Sequence, residues 1–240
     1  MCAVKLTSAG FGAAALPLWA AVVPLATVNI CYLIAAGLEH VPTCIPYLSG
    51  CTSVSSTGRM APERMVFLAG MLPSALILAC FWRGTAAFLK HSGSRQQRLK
   101  LVPLLGVIAA LSLSVYAITL GSEDMLQRQL RRAGINGFAV STFVAQLLFI
   151  DLYRPMRIAT TEKLWQWLVV LCAALPLLSI ASEVAKLIGA GRHGSNNFAA
   201  WNAFLVASAW YAVVARIWWH HGFSGDTAST SSGRPASPRE

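Results

Sequence analysis

Between residues 44 and 67 the chain reads CIPYLSGCTSVSSTGRMAPERMVF, and this segment concentrates the groups able to do chemistry. It carries hydroxyls at Ser49, Thr52, Ser53, Ser55, Ser56 and Thr57, a turn glycine at Gly58, and then Pro62 followed by Glu63 and Arg64. Clustered hydroxyls beside an acidic and a basic side chain suit a phosphate or sugar-phosphate group at the level of lipid headgroups. The same residues also serve a polar loop that satisfies only its own turns. Pro62 fits the first turn of a helix, with Glu63 next to the positive end of its dipole.

Elsewhere, reactive groups are few. The ionisable residues inside or at the rim of apolar runs are Arg83, Asp151 and Glu183, together with Glu63 and Arg64. Such groups need partners in lipid. Asp151 is expected to pair with Arg154 at the interface, and Glu183 to face either Arg64, a polar cavity, or Lys186 three residues on. Among the cysteines, Cys31, Cys80 and Cys172 fall in apolar runs and Cys2 precedes them, whereas Cys44 and Cys51 share the polar segment. Those two either bridge, if the local backbone brings their Cα atoms close enough, or remain thiols. No CxxC pair and no histidines at helical ligand spacing suggest a metal site, and no cofactor motif is present. The loop serines have only His40 and His193 as candidate bases, and nothing in the sequence brings either close, so no catalytic constellation is legible.

The elements that must position these groups are six apolar runs, at about 16–38, 65–89, 101–121, 133–150, 164–182 and 198–218. Each approaches or exceeds the ~20 residues a helix needs to cross a hydrocarbon core. The runs are continuously apolar rather than alternating, and an open sheet cannot satisfy its edge amides in lipid. The expected fold is therefore all-α: a polytopic membrane protein with a six-helix transmembrane bundle over residues 1–222, and a polar tail, disordered by composition, over 223–240. Hydrophobic residues make up 56% of the chain and charged ones 12%, leaving no segment able to fold as a separate soluble domain. The first run is too long for a signal-peptide core and is read as a span. Pro17, Pro24, Pro73 and Pro176 are expected to kink their helices.

The net charge of +10 does not point to nucleic acid, because the basic residues sort by side of the membrane. With the N-terminus inside, the larger share lies on the cytosolic side, including the cluster Lys90, Arg95, Arg98 and Lys100. The positive-inside rule then places both termini in the cytosol and the 44–67 loop on the opposite side, against the basic trio Arg128, Arg131 and Arg132. Membrane lipids are the expected partners.

This loop resembles the signature of the FRAG1/DRAM/Sfk1 superfamily of six-span membrane proteins. The resemblance rests on Pro46, Tyr47 and Ser49, then Ser53, Ser55, Thr57 and Gly58, then Pro62, Glu63, Arg64 and Phe67. The string SVSSTGRMAPER is most similar to the PGAP2 and Cwh43 branch and IPYLS to the DRAM branch, and Glu183 stands where the family often has a glutamate near the end of span five. The resemblance implies a six-span fold with both termini inside. It implies one of three roles: lipid remodelling of GPI anchors, control of autophagy at lysosomal membranes, or phospholipid signalling at the plasma membrane. The loop favours GPI-anchor remodelling in the ER and Golgi, with residues 53–64 presented to a lumenal, GPI-linked lipid headgroup. The alternative is a non-enzymatic regulator of endolysosomal or plasma membranes, acting through its 90–100 basic segment on anionic lipid.

Overall fold

The computed structural model describes residues 15–93, 97–122, 124–189 and 192–223, without the side chains of Arg192 and His193. Among these residues there are only helices and turns. Six helices are long and apolar enough to cross a membrane: α1 (Leu16–Gly37), α3 (Glu63–His91), α4 (Leu101–Ile118), α5 (Met125–Tyr153), α6 (Glu162–Leu187) and α7 (Arg192–His220). A single turn, α2 (Pro46–Ser49), lies in the loop between α1 and α3.

Most helices outrun their apolar stretches. The largest difference is in α5, which starts at Met125 rather than near residue 133 and so carries Arg128, Arg131 and Arg132 on an exposed first stretch of helix. Backbone amides stay bonded within a helix whether the surroundings are lipid or water, so polarity marks the membrane boundary and not the helix end. Pro17 lies in the first turn of α1, where a missing amide matters little, whereas Pro24, Pro73 and Pro176 lie inside their helices.

Packing follows the chain around the bundle: α5 on α4, α4 on α3, α3 on α1, α1 on α7 and α7 on α6, with α5 closing more lightly on α6. Small residues set the closest approaches. A Cβ on Gly106 of α4 would overlap Trp82 of α3, and one on Gly70 of α3 would overlap Thr27 of α1. The half of the bundle away from the α1–α3 loop is filled by buried rings from three helices. Trp82 meets Trp210 at 5.9 Å, Phe149 meets Trp210 at 5.6 Å, and Phe81 stacks on Trp218 at 5.8 Å. Phe223 is buried in the same cluster against Phe88 and Trp218, so the last described residue belongs to the core. The rest of the expected tail, 224–240, lies outside the described residues.

Candidate functional site at the α1–α3 loop

The loop from residue 38 to 62 is folded down onto the ends of α1 and α7. Tyr32, near the end of α1, both donates to the Cys44 carbonyl at 2.6 Å and accepts from the Cys44 amide at 2.8 Å. Asn29, one turn earlier, pairs with the Tyr47 hydroxyl at 2.8 Å. From the other side, α7 presents Asn197, Trp201 and Asn202. Their amide and indole nitrogens donate to the carbonyls of Gly50, Thr52 and Tyr47, each at 2.9 Å. The Trp201 ring stands edge-on to both Tyr32 and Tyr47. Burial raises the Tyr47 pKa, and the bond to Asn29 opposes that shift.

Cys44 and Cys51 are joined in a disulfide, with Cα atoms 6.7 Å apart, around the short α2 turn. The turn begins at the buried Pro46 and ends at Gly50, whose φ of +59° suits glycine and whose missing Cβ leaves room for the Gly194 carbonyl. Gly58 is buried against the Phe67 ring, which a Cβ would meet at 2.7 Å.

The hydroxyls bond chiefly to the loop itself. Ser53 binds Ser55 and Ser56, Thr52 binds Ser56 at 2.8 Å, Thr57 donates to Val54, and Ser49 donates to Ile45. Ser53, Ser55 and Ser56 are half-buried. They form a rigid hydroxyl cluster whose mutual bonds an incoming acceptor would have to replace.

Pro62 follows a cis peptide after Ala61 and leads into α3. Glu63, the first residue of that helix, is fully buried. One carboxylate oxygen lies 2.7 Å from Nδ1 of His40, whose side chain is 28% exposed, and the other has no hydrogen-bond partner among the described residues. The Glu63 backbone carbonyl accepts from the Cys31 thiol at 3.5 Å. His40 is placed by the end of α1: its amide donates to Ala35 at 2.8 Å, and Glu39 before it turns the chain with φ +60°. The Glu63 bond fixes the imidazole through Nδ1, so Nε2 is the nitrogen left to exchange a proton with a third group.

Arg64 is directed away from this pair. Consecutive residues on a helix point about 100° apart, so the adjacent acid and base do not form a clasp. The stem of Arg64 packs by Gly121, in the turn after α4, and its buried Nε has no partner among the described residues. Gly121, at φ +89°, also approaches the Arg59 carbonyl.

The remaining expected residues lie elsewhere. Asp151 meets Arg98 at 3.6 Å and not Arg154, because Arg154 turns into a short 3₁₀ segment while Arg98 reaches across from the α3–α4 connection. Both are exposed, so the contact is a weak interfacial one. Glu183 binds Lys186 on its own helix and is 69% exposed, so it does not join the loop. It borders a cleft of about 230 Å³ between α6 and α7, where Ser182 donates to Asn196 at 2.7 Å. Among the described residues, no group of three or more histidine, cysteine or acidic side chains could hold a metal.

Sequence reading missed the His40–Glu63 pair, because the partners are 23 residues apart and join only when the loop closes. It also passed over Asn29, Tyr32, Asn197, Trp201 and Asn202. Their signal was present as hydrogen-bonding side chains near the ends of apolar runs, two of them at the i, i+4 spacing of one helix face.

No family model, curated protein or solved structure matches this chain. The fold itself defines the class: this is an integral, multi-pass membrane protein with six apolar helices. Its distinctive part is a disulfide-closed loop that caps one end of the bundle and buries a carboxylate paired with a histidine.

Proposed function

We propose that the protein is a member of the FRAG1/DRAM/Sfk1 superfamily that acts in GPI-anchor lipid remodelling in the ER and Golgi. In this reading both termini are cytosolic and the capped loop faces the lumenal headgroups. The observation that carries it is the buried Glu63 carboxylate, held on one side by His40 and unpartnered on the other, in the segment whose residues carry the resemblance. A buried carboxylate that orients an imidazole is an arrangement suited to moving a proton at a lipid hydroxyl. Arg59, exposed on the loop, and Arg64, in the first turn of α3 and directed away from the Glu63–His40 pair, supply positive charge for a headgroup phosphate. The role of the α7 clamp and the disulfide is to keep these groups in place without a ligand.

Deletion of the gene followed by analysis of the lipid moiety and detergent resistance of GPI-anchored surface proteins tests this. An altered anchor lipid is expected, restored by the native chain but not by equally expressed His40→Gln, Glu63→Gln or Arg64→Ala chains. Unaltered anchors in the deletion would refute the remodelling role. Full rescue by all three variants would remove the loop as its site.

A further inference from the structure

At the opposite end of the bundle, α3 and α4 border an open, shallow groove of about 500 Å³ lined by Arg83 and Ala86 of α3, and by Lys100, Pro103, Leu104 and Val107 at the start of α4. The residues fall at i, i+3 on one helix and i, i+3, i+4, i+7 on the other, which is one continuous face of each. Nearby, Gly106 admits Trp82 and draws the two helices together. Leu104 and Val107 are 54% and 40% exposed.

Both cations in this groove are exposed, and neither has an ion-pair partner among the described residues. The described acidic side chains of this end are already engaged: Asp151 by Arg98 at 3.6 Å, and Glu162 by Arg157 at 2.7 Å. Arg83 is nevertheless on a lipid-facing surface of an apolar helix, eight residues before its end at His91. It follows Glu63 by twenty residues, which is roughly 30 Å of helix and matches the thickness of a hydrocarbon core. When the buried loop end of α3 stands at one boundary of the core, Arg83 stands at the other, at the level of lipid phosphates. An arginine at that level without a protein partner among the described residues is placed to meet a lipid phosphate.

We propose that this groove is a binding site for an anionic phospholipid of the adjacent leaflet. The phosphate is held between the Arg83 guanidinium and the Lys100 ammonium, and an acyl chain lies along Pro103, Leu104 and Val107. Guanidinium and ammonium together match a phosphodiester, the first through paired N–H donors and the second as a point charge. A net negative headgroup is selected because no acidic side chain among the described residues lines the groove to receive a choline or ethanolamine cation. The site is independent of the loop and of the remodelling reading.

The test is native mass spectrometry of the full chain in detergent, titrated separately with phosphatidylglycerol, phosphatidylcholine and inorganic phosphate. Phosphatidylglycerol is expected to bind, and to bind about thirtyfold more weakly to the Arg83→Gln, Lys100→Gln double variant, the equivalent of about 1 kcal/mol for each basic group. Lys90→Gln with Arg154→Gln removes the same charge from the same end outside the groove and is expected to change binding less than twofold. Leu104→Trp, which fills the groove at unchanged charge, is expected to weaken binding as well. Equal loss in the two charge-matched doubles would reduce the effect to general surface attraction and overturn the proposal. So would undiminished binding in Leu104→Trp, or equal affinity for phosphatidylcholine. Competition by millimolar inorganic phosphate alone would show an anion site without a lipid component and would likewise overturn it.

Discussion

The two ends of α3 solve the same problem in opposite ways. At Glu63 a charge is taken fully out of solvent, and the chain surrounds it with a histidine, a thiol, a disulfide-closed loop and a clamp from α7. At Arg83 a charge is left on the surface, beside Lys100, with no protein partner described. The first end is organised before any ligand arrives, so changes there act on the fold as well as on binding. The second is built for an external counter-charge, so changes there act on binding and leave the fold nearly untouched. This difference separates a site held by internal hydrogen bonds from one held by the membrane itself.

Removal of the one partner that the described residues give the buried carboxylate should break the first end most severely. His40→Ala is expected to destabilise the protein by about 3 kcal/mol, measured by chemical unfolding in mixed micelles, whereas Arg83→Gln changes stability by less than about 0.5 kcal/mol. The double variant His40→Ala, Glu63→Gln should recover most of the loss, because the stranded charge is gone. Equal effects of His40→Ala and Arg83→Gln would erase the contrast between the ends.

Opening the disulfide comes next. Cys44→Ser with Cys51→Ser frees a ring closed over a sequence separation of 7, and the loop-closure argument gives a loss of about 2 kcal/mol. Proteolytic cleavage confined to residues 38–62 would report it. Trp201→Phe keeps an aromatic side chain, smaller than the indole, but deletes the donor to Thr52. It is expected to cost about 1–2 kcal/mol and to speed amide exchange around Gly50 and Thr52.

The smallest effect sharpens the comparison at the second end. His221 lies just beyond α7, with Nε2 at 2.8 Å from the Tyr153 hydroxyl and its ring against Phe88. Burial, and then the neighbouring His220, lower its pKa below 6.5. The unfolded chain therefore takes up this proton first as pH falls. The stabilising contribution is present above about pH 6.5 and is lost as pH drops through the lower folded value. Thermal unfolding scanned from pH 7.5 to 5.5 should show a slope that His221→Gln flattens, while Lys100→Gln leaves it unchanged.

The outline of these two ends was readable from composition. Twenty-residue apolar runs admit only helices in lipid, so the number and approximate positions of the spans follow directly from residue order. The polar segment at 44–67 stood out for the same reason: hydroxyls and charges have no place in a span. The way these residues pair was not readable. Glu63 and Arg64 are adjacent and of opposite charge, yet helical geometry separates them, and Glu63 finds His40 instead. The hydroxyls of Ser53, Ser55 and Ser56 are spaced as ligands but bond one another, since the tight turn they sit in brings them within hydrogen-bond reach. Asp151 passed over its neighbour Arg154 for Arg98 of another connection, and Glu183 took the local Lys186.

What the sequence alone determined is the solvent of this protein and the elements that solvent permits, because hydrophobic length and backbone hydrogen bonding are properties of local chain. The tertiary structure decided the partners of each polar group. Asn197, Trp201 and Asn202 clamp a loop 147 to 155 residues away, and Arg83 shares a groove with Lys100 because Gly106 lets two helices close on each other. Such pairings depend on how helices are arranged around the bundle. Residue order constrains that arrangement only through the summed packing of all six.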